Sequence, residues 1–115
     1  MSDHVRVEPL GRRLQVSLAG VSIVDTDRAL VVHEGGLPAR YYVPRDEVKA
    51  ELPEGQGTGT CPWKGKWRHL DVKAGDRTVP NGAWTYFETT PVCDRIRDHV
   101  AFYENKMSGF EVGAG

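Results

Sequence analysis

Of 115 residues only two are cysteines, Cys61 and Cys93, and they form no Cys-x-x-Cys pair. His4, His33, His69 and His99 are scattered rather than spaced as ligands, so the four donors of a tetrahedral structural zinc are missing. No metal or cofactor is expected. Spacing alone leaves a Cys61–Cys93 disulfide open, although nothing in the sequence indicates an oxidising compartment. Charge of one sign is lacking too: 15 Lys+Arg against 16 Asp+Glu give a formal charge of −1. Without a bulk field the chain has nothing to draw it to nucleic acid or an anionic membrane, and any anion site must be local. No run approaches the roughly 20 apolar residues of a membrane span. Met1-Ser2-Asp3-His4-Val5-Arg6 lacks the apolar core of a signal peptide. The expectation is a cytoplasmic protein without a membrane partner, in a single domain over residues 1–115 whose ordered part runs from about 6 to 112.

Helical periodicity is also scarce; what is present is alternation. Leu14, Val16 and Leu18 alternate with Arg13, Gln15 and Ser17, and Val21 to Val24 continue with period two after Ala19-Gly20, so two half-buried strands are predicted. Ala29 to His33 predicts a third strand, stopped by the turn Glu34-Gly35-Gly36-Leu37-Pro38, and Arg40 to Val43 a fourth, ended by Pro44. Pro44 to Lys49 suits one helical turn. Leu52 to Thr60 reads as a glycine-rich loop. Its Gly55-x-Gly57-x-Gly59 is not a phosphate-binding motif, because Cys61-Pro62 and a strand follow where a helix is needed.

Lys66 to Val72 predicts a strand buried on both sides, followed by a hairpin at Lys73 to Arg77 and a return strand through Thr78-Val79. Pro80-Asn81-Gly82 marks a bulge or turn before the strand resumes over Ala83 to Phe87. The one sustained helical spacing is Val92, Ile96, Val100 and Tyr103 after Thr90-Pro91, which predicts a short helix over Val92 to Tyr103. Phe110 to Val112 suits an edge strand, and Gly113-Ala114-Gly115 a frayed tail.

Several blocks together resemble the bacterial domain of unknown function 427 family. They are Arg40-Tyr41-Tyr42-Val43-Pro44, Thr60-Cys61-Pro62-Trp63-Lys64-Gly65, Gly75-Asp76-Arg77 leading to Ala83-Trp84-Thr85-Tyr86, and Val100-Ala101-Phe102-Tyr103. The resemblance spans about Arg6 to Val112 and implies a mainly β domain of small, strongly bent antiparallel sheets, similar to the β-tent group. Some β-tent domains hold zinc through Cys-x-x-Cys pairs, which this chain lacks. The family's nucleotidyltransferase-like label transfers no catalytic residue, since no acidic metal pair stands at that spacing. Two departures from the family pattern are His69, where an aromatic residue is expected, and Phe87-Glu88-Thr89-Thr90, which replaces a more proline-rich stretch.

The densest chemistry lies in Thr60 to Trp67. Cys61 reads either as a nucleophile activated by Lys64 or Lys66, or as a small buried residue before a proline. Lys64 suits an anion anchor or, desolvated, a base. Arg40 offers a rigid fork of donors to a carboxylate or phosphate, with a hydroxyl from Tyr41 or Tyr42 beside it, and a structural ion pair explains it as well. Trp63, Trp67, Trp84 and Tyr86 are candidates for an apolar pocket, Trp84 leaning to core and Tyr86 to pocket. His69 and Asp71 share a strand face, as an acid–base dyad or by coincidence. Three functions follow. The first is a small-molecule-binding β domain presenting Arg40, Lys64 and Tyr86 to an anionic or aromatic ligand. The second is a small enzyme of transferase or isomerase/cyclase type, using Cys61 or Lys64, Tyr86 and His69 in the same cleft. The third is a homodimer or larger homo-oligomer joined through its tryptophans.

Overall fold

A computed structural model describes residues 4–114. The readings made on Met1-Ser2-Asp3 and on Gly115 lie outside the described residues. Among the described residues ten strands form three antiparallel sheets: β1 (Val5–Pro9), β2 (Leu14–Leu18), β3 (Val21–Thr26), β4 (Leu30–Glu34), β5 (Arg40–Tyr42), β6 (Glu54–Cys61), β7 (Gly65–Ala74), β8 (Arg77–Thr89), β9 (Ala101–Phe102) and β10 (Gly109–Val112). The sheet orders are β1-β4-β5, β10-β2-β3 and β6-β7-β8-β9. The mainly β expectation therefore holds. Alternation works as written in β2, where Leu14, Val16 and Leu18 are buried and Gln15 is exposed. No described helix is long and apolar enough to cross a membrane.

Three local expectations are corrected. The stretch Leu52 to Thr60 is not a loop, because Glu54–Cys61 pairs along β7 with Gly59 opposite Trp67. Glycine's low strand propensity hides a strand whose backbone bonds come from a neighbour. Strand β7 is not buried on both sides: Leu70, Val72 and Ala74 are sealed, while Trp67, His69 and Asp71 on the other face stay half-exposed. The short C-terminal helix is present but smaller, a 3-10 segment over Pro91–Ile96 that buries Cys93 and Ile96. Thr90 leaves the cap unmade and bonds Trp63 O instead, at 2.8 Å. Asp98 then turns the chain at φ 60° and donates its N–H to Tyr86 O. Val100 pairs with Val43, and Ala101–Phe102 joins β8 as β9. Long-range pairing supplied the backbone bonds that a helix would have made internally.

The interior divides at β8. Its early residues Val79 and Ala83 join Leu14, Val16, Leu18, Ile23, Leu70 and Val72 in an aliphatic core under β2-β3. Its later residues Trp84 and Tyr86 join Val5, Val32, Tyr42, Cys93 and Ile96 in a second core against β1-β4-β5. The second core is where the molecule opens.

Candidate functional site

Strands β4 and β5 face the later half of β8 across a cavity of about 270 Å³. Val32 and Arg40 are direct partners in the β4–β5 ladder, so both reach the same face, and Glu34, two residues on from Val32, joins them. Trp84 and Tyr86 line it from β8, again two apart, and Trp67 from β7. Lys64 comes from the β6–β7 turn, Tyr103 from the segment after β9, and Leu37 and Pro38 close the mouth, Leu37 being 63% exposed.

The aromatic wall is braced from behind. Trp84 donates its indole N–H to the buried Tyr42 hydroxyl at 3.1 Å, with the two rings edge-on at 89°. Tyr103 packs against Trp84 with centroids 4.5 Å apart. Burial pushes both the Tyr42 and Tyr86 phenols above the ordinary tyrosine value. The nearby Tyr42, Cys61 and Glu34 raise Tyr86 further. Burial therefore favours the neutral form of both phenols.

Charge in the lining is unevenly matched. Lys64 Nζ donates to Glu34 Oε1 with both side chains close to 12–13% exposed, and it also sits 5.6 Å from the Tyr86 ring centre. Arg40 holds its guanidinium carbon over the Trp84 ring, 5.7 Å from the centroid, and among the described residues it makes no ion pair. With no carboxylate on it among the described residues, the guanidinium has donors available in the fork that suits a planar carboxylate.

The glycine-rich strand positions the far wall. Gly55, Gly57 and Gly59 stand beside Asp71, His69 and Trp67, the outward row of β7. A methyl group at Gly59 would come 2.6 Å from Trp67 Cζ2, and one at Gly57 would come 3.3 Å from His69 Nδ1. The missing side chains are thus the space those rings occupy. Asn81, at φ 52°, locks the β6 irregularity by accepting from Gln56 N at 2.8 Å and donating to Gln56 O at 3.0 Å. Gln56 O also lies 2.9 Å from His69 Nδ1, and a carbonyl only accepts, so Nδ1 carries the proton. In the neutral ring Nε2 then accepts from the Tyr103 hydroxyl at 3.0 Å.

Of the residues singled out in the sequence, Arg40, Lys64, Trp67, Trp84 and Tyr86 converge on the cavity, and Tyr42, Trp63, Cys61, Lys66, His69 and Asp71 do not line it. Tyr42 lies in the layer behind. Trp63 is 46% exposed and stacks on His4 at 4.5 Å. Cys61 is a half-buried free thiol packed against the aromatic core, and its two candidate activators are engaged, Lys64 by Glu34 and Lys66 by Glu88. His69 braces Tyr103, while Asp71 accepts from Asn81 N at 2.9 Å, so the two make no dyad. Glu34 and Tyr103 escaped the sequence reading; the one signal was Tyr103's place at the end of a resembling block. Among the described residues no three His, Cys, Asp or Glu side chains gather as metal ligands.

A mainly β fold of small antiparallel sheets with an aromatic-walled cavity defines the class of protein. The chain belongs to the family described as Domain of unknown function (DUF427), which matches residues 6–113. No curated protein matches the chain.

Proposed function

We propose that the protein binds a small anionic ligand with an aromatic body in the cavity between β4-β5 and β8. The observation that carries this reading is Arg40, a cation without a carboxylate partner among the described residues, set at the edge of an aromatic-walled cavity. The flat body of such a ligand would lie among Trp67, Trp84, Tyr86 and Tyr103, where burying apolar area is favourable by about 25 cal/mol per Å². Its charge would meet the guanidinium. Chemistry is not needed for this reading: the half-buried thiol lies outside the wall, and Lys64 is held by Glu34.

A ligand that binds only the folded state raises its stability by linkage, by roughly 2.7 kcal/mol at a free concentration of 100 times the dissociation constant. The test is a thermal-shift screen of aromatic carboxylates, acyl phosphates and nucleotides at low salt on wild type and Arg40→Ala. At least one anion should stabilise the wild type, and the shift should vanish in Arg40→Ala. No stabilising anion, or an undiminished shift in the variant, would end the proposal.

A further inference from the structure

Building on that reading of the cavity, we infer that its ligand is a monoanion, an aryl or heteroaryl carboxylate, and that Glu34 is the residue that excludes dianionic phosphates. Two cations line the cavity, Arg40 and Lys64, but so does one carboxylate, Glu34, leaving a net lining charge of +1. Glu34 cancels Lys64 by direct contact. It also lies on the same face as Arg40: Val32 is Arg40's direct partner, and Glu34 is the diagonal neighbour, a spacing of about 7–8 Å in an antiparallel ladder. Arg40 also lines an adjoining groove that holds a second carboxylate, the exposed Glu104.

An anion seated on Arg40 in this cavity therefore shares the lining with the Glu34 carboxylate. One negative charge is matched by the guanidinium, and a second meets like charge with no remaining counter-charge in the lining. Phosphate sites solve this with several converging donors or a metal ion. Here a single unpaired fork is present, and a fork matches the two oxygens of a carboxylate. Size points the same way. A cavity of about 270 Å³ lies just below the range of about 300–1,000 Å³ used for drug-sized ligands, which suits one ring or a fused pair rather than a nucleotide.

The test compares three ligands that share a phenyl ring, at pH 7.5 and low salt, by calorimetry. Phenylacetate carries one charge. Phenyl phosphate carries close to two, since its second ionisation lies near pH 6. Phenyl methyl phosphate has phosphate geometry with one charge, which separates charge from shape. Wild type should bind both monoanions at least about tenfold more tightly than phenyl phosphate, and Glu34→Gln should close that gap by relieving the repulsion and freeing Lys64. Phenyl phosphate binding the wild type as tightly as the monoanions, or a gap that persists in Glu34→Gln, would overturn the inference while leaving the anion site itself standing. If none of the three binds and the wider anion screen is also empty, the anion site falls and the inference with it. Should Glu34→Gln fail to fold, the wild-type comparison decides alone.

Discussion

The two cores that share β8 are built from different materials. Among the described residues the buried core under β2-β3 is aliphatic apart from Phe102 and Met107, and its one polar-tipped aromatic neighbour, Tyr41, packs only partly buried at its edge. The core against β1-β4-β5 holds Tyr42, Trp84, Tyr86 and Cys93, each with a polar atom to satisfy. Among the described residues every buried side-chain polar atom has a partner. An interior made only to be stable gains little from such groups, because each needs a hydrogen bond to offset its desolvation. Their concentration in the core that lines the cavity between β4-β5 and β8 separates a structural, aliphatic half from an aromatic, cavity-lining half within a single strand.

The sharpest way to break that comparison is to damage the aliphatic half. Leu70 is 1% exposed between the sheets, so Leu70→Ala leaves a cavity costing about 2–5 kcal/mol. Urea denaturation should show that loss, while ligand affinity, measured where the variant is still folded, stays near wild type. A parallel loss of affinity would show that the halves are one unit.

Gly59→Ala attacks the other half. Its methyl group would crowd the Trp67 indole, and such overpacking costs about 1–3 kcal/mol. Because the displaced ring is cavity wall, the ligand-induced thermal shift should fall with it. A destabilised protein with an unchanged shift would argue that Trp67 does not touch the ligand.

Alkaline unfolding should report on the aromatic half by itself. Burial raises the Tyr42 and Tyr86 phenols, so as the pH climbs the unfolded chain gives up these protons first. The folded protein then holds more protons than the unfolded one, and stability falls with rising pH. The contribution is intact below about pH 10 and declines above it by about 1.4 kcal/mol per pH unit for each phenol. Tyr42→Phe leaves the Trp84 N–H without its acceptor, costing about 1–3 kcal/mol at neutral pH, yet its alkaline slope should be shallower by one phenol. Equal slopes would mean that Tyr42 ionises as an ordinary surface tyrosine.

The same division explains what was legible in the sequence. In the aliphatic half β2 follows the period-two rule, and Leu14, Val16 and Leu18 announce it without help from the rest of the chain. In β3 the register shift opposite Val16/Ser17 breaks the expected alternation, leaving Val21 exposed and burying both Ile23 and Val24. In the aromatic half the individual residues were visible as chemistry: Arg40, Lys64, Trp67, Trp84 and Tyr86. Their partners were not. Glu34 meets Lys64 across 30 positions, and Tyr103 meets His69 across 34. Neither pairing leaves a local pattern. Strand β6 was missed because its glycines carry no alternation, their function being the space they leave, and Val100 was read as helical because its bond to Val43 lies 57 positions away (100 − 43).

The smallest effect is expected at the far end of the structural half, in the hairpin joining β2 to β3. Ala19 and Gly20 both adopt positive φ, 53° and 77°, the two-residue turn whose twist matches its strands. Glycine tolerates that conformation, but alanine's Cβ crowds the following carbonyl at a cost of about 1–2 kcal/mol, and asparagine relieves part of that through local hydrogen bonding. Both residues are exposed and touch neither core. Ala19→Asn should therefore stabilise the protein by roughly 0.5 kcal/mol, read as a small rise in the urea midpoint with an unchanged slope. Ligand affinity should not move, since the turn belongs to the sheet that contributes nothing to the cavity wall. A change in affinity from so remote a turn would mean that the strain at Ala19 is transmitted through β2 and β8 into the aromatic wall, and that the boundary drawn at β8 is not a mechanical one.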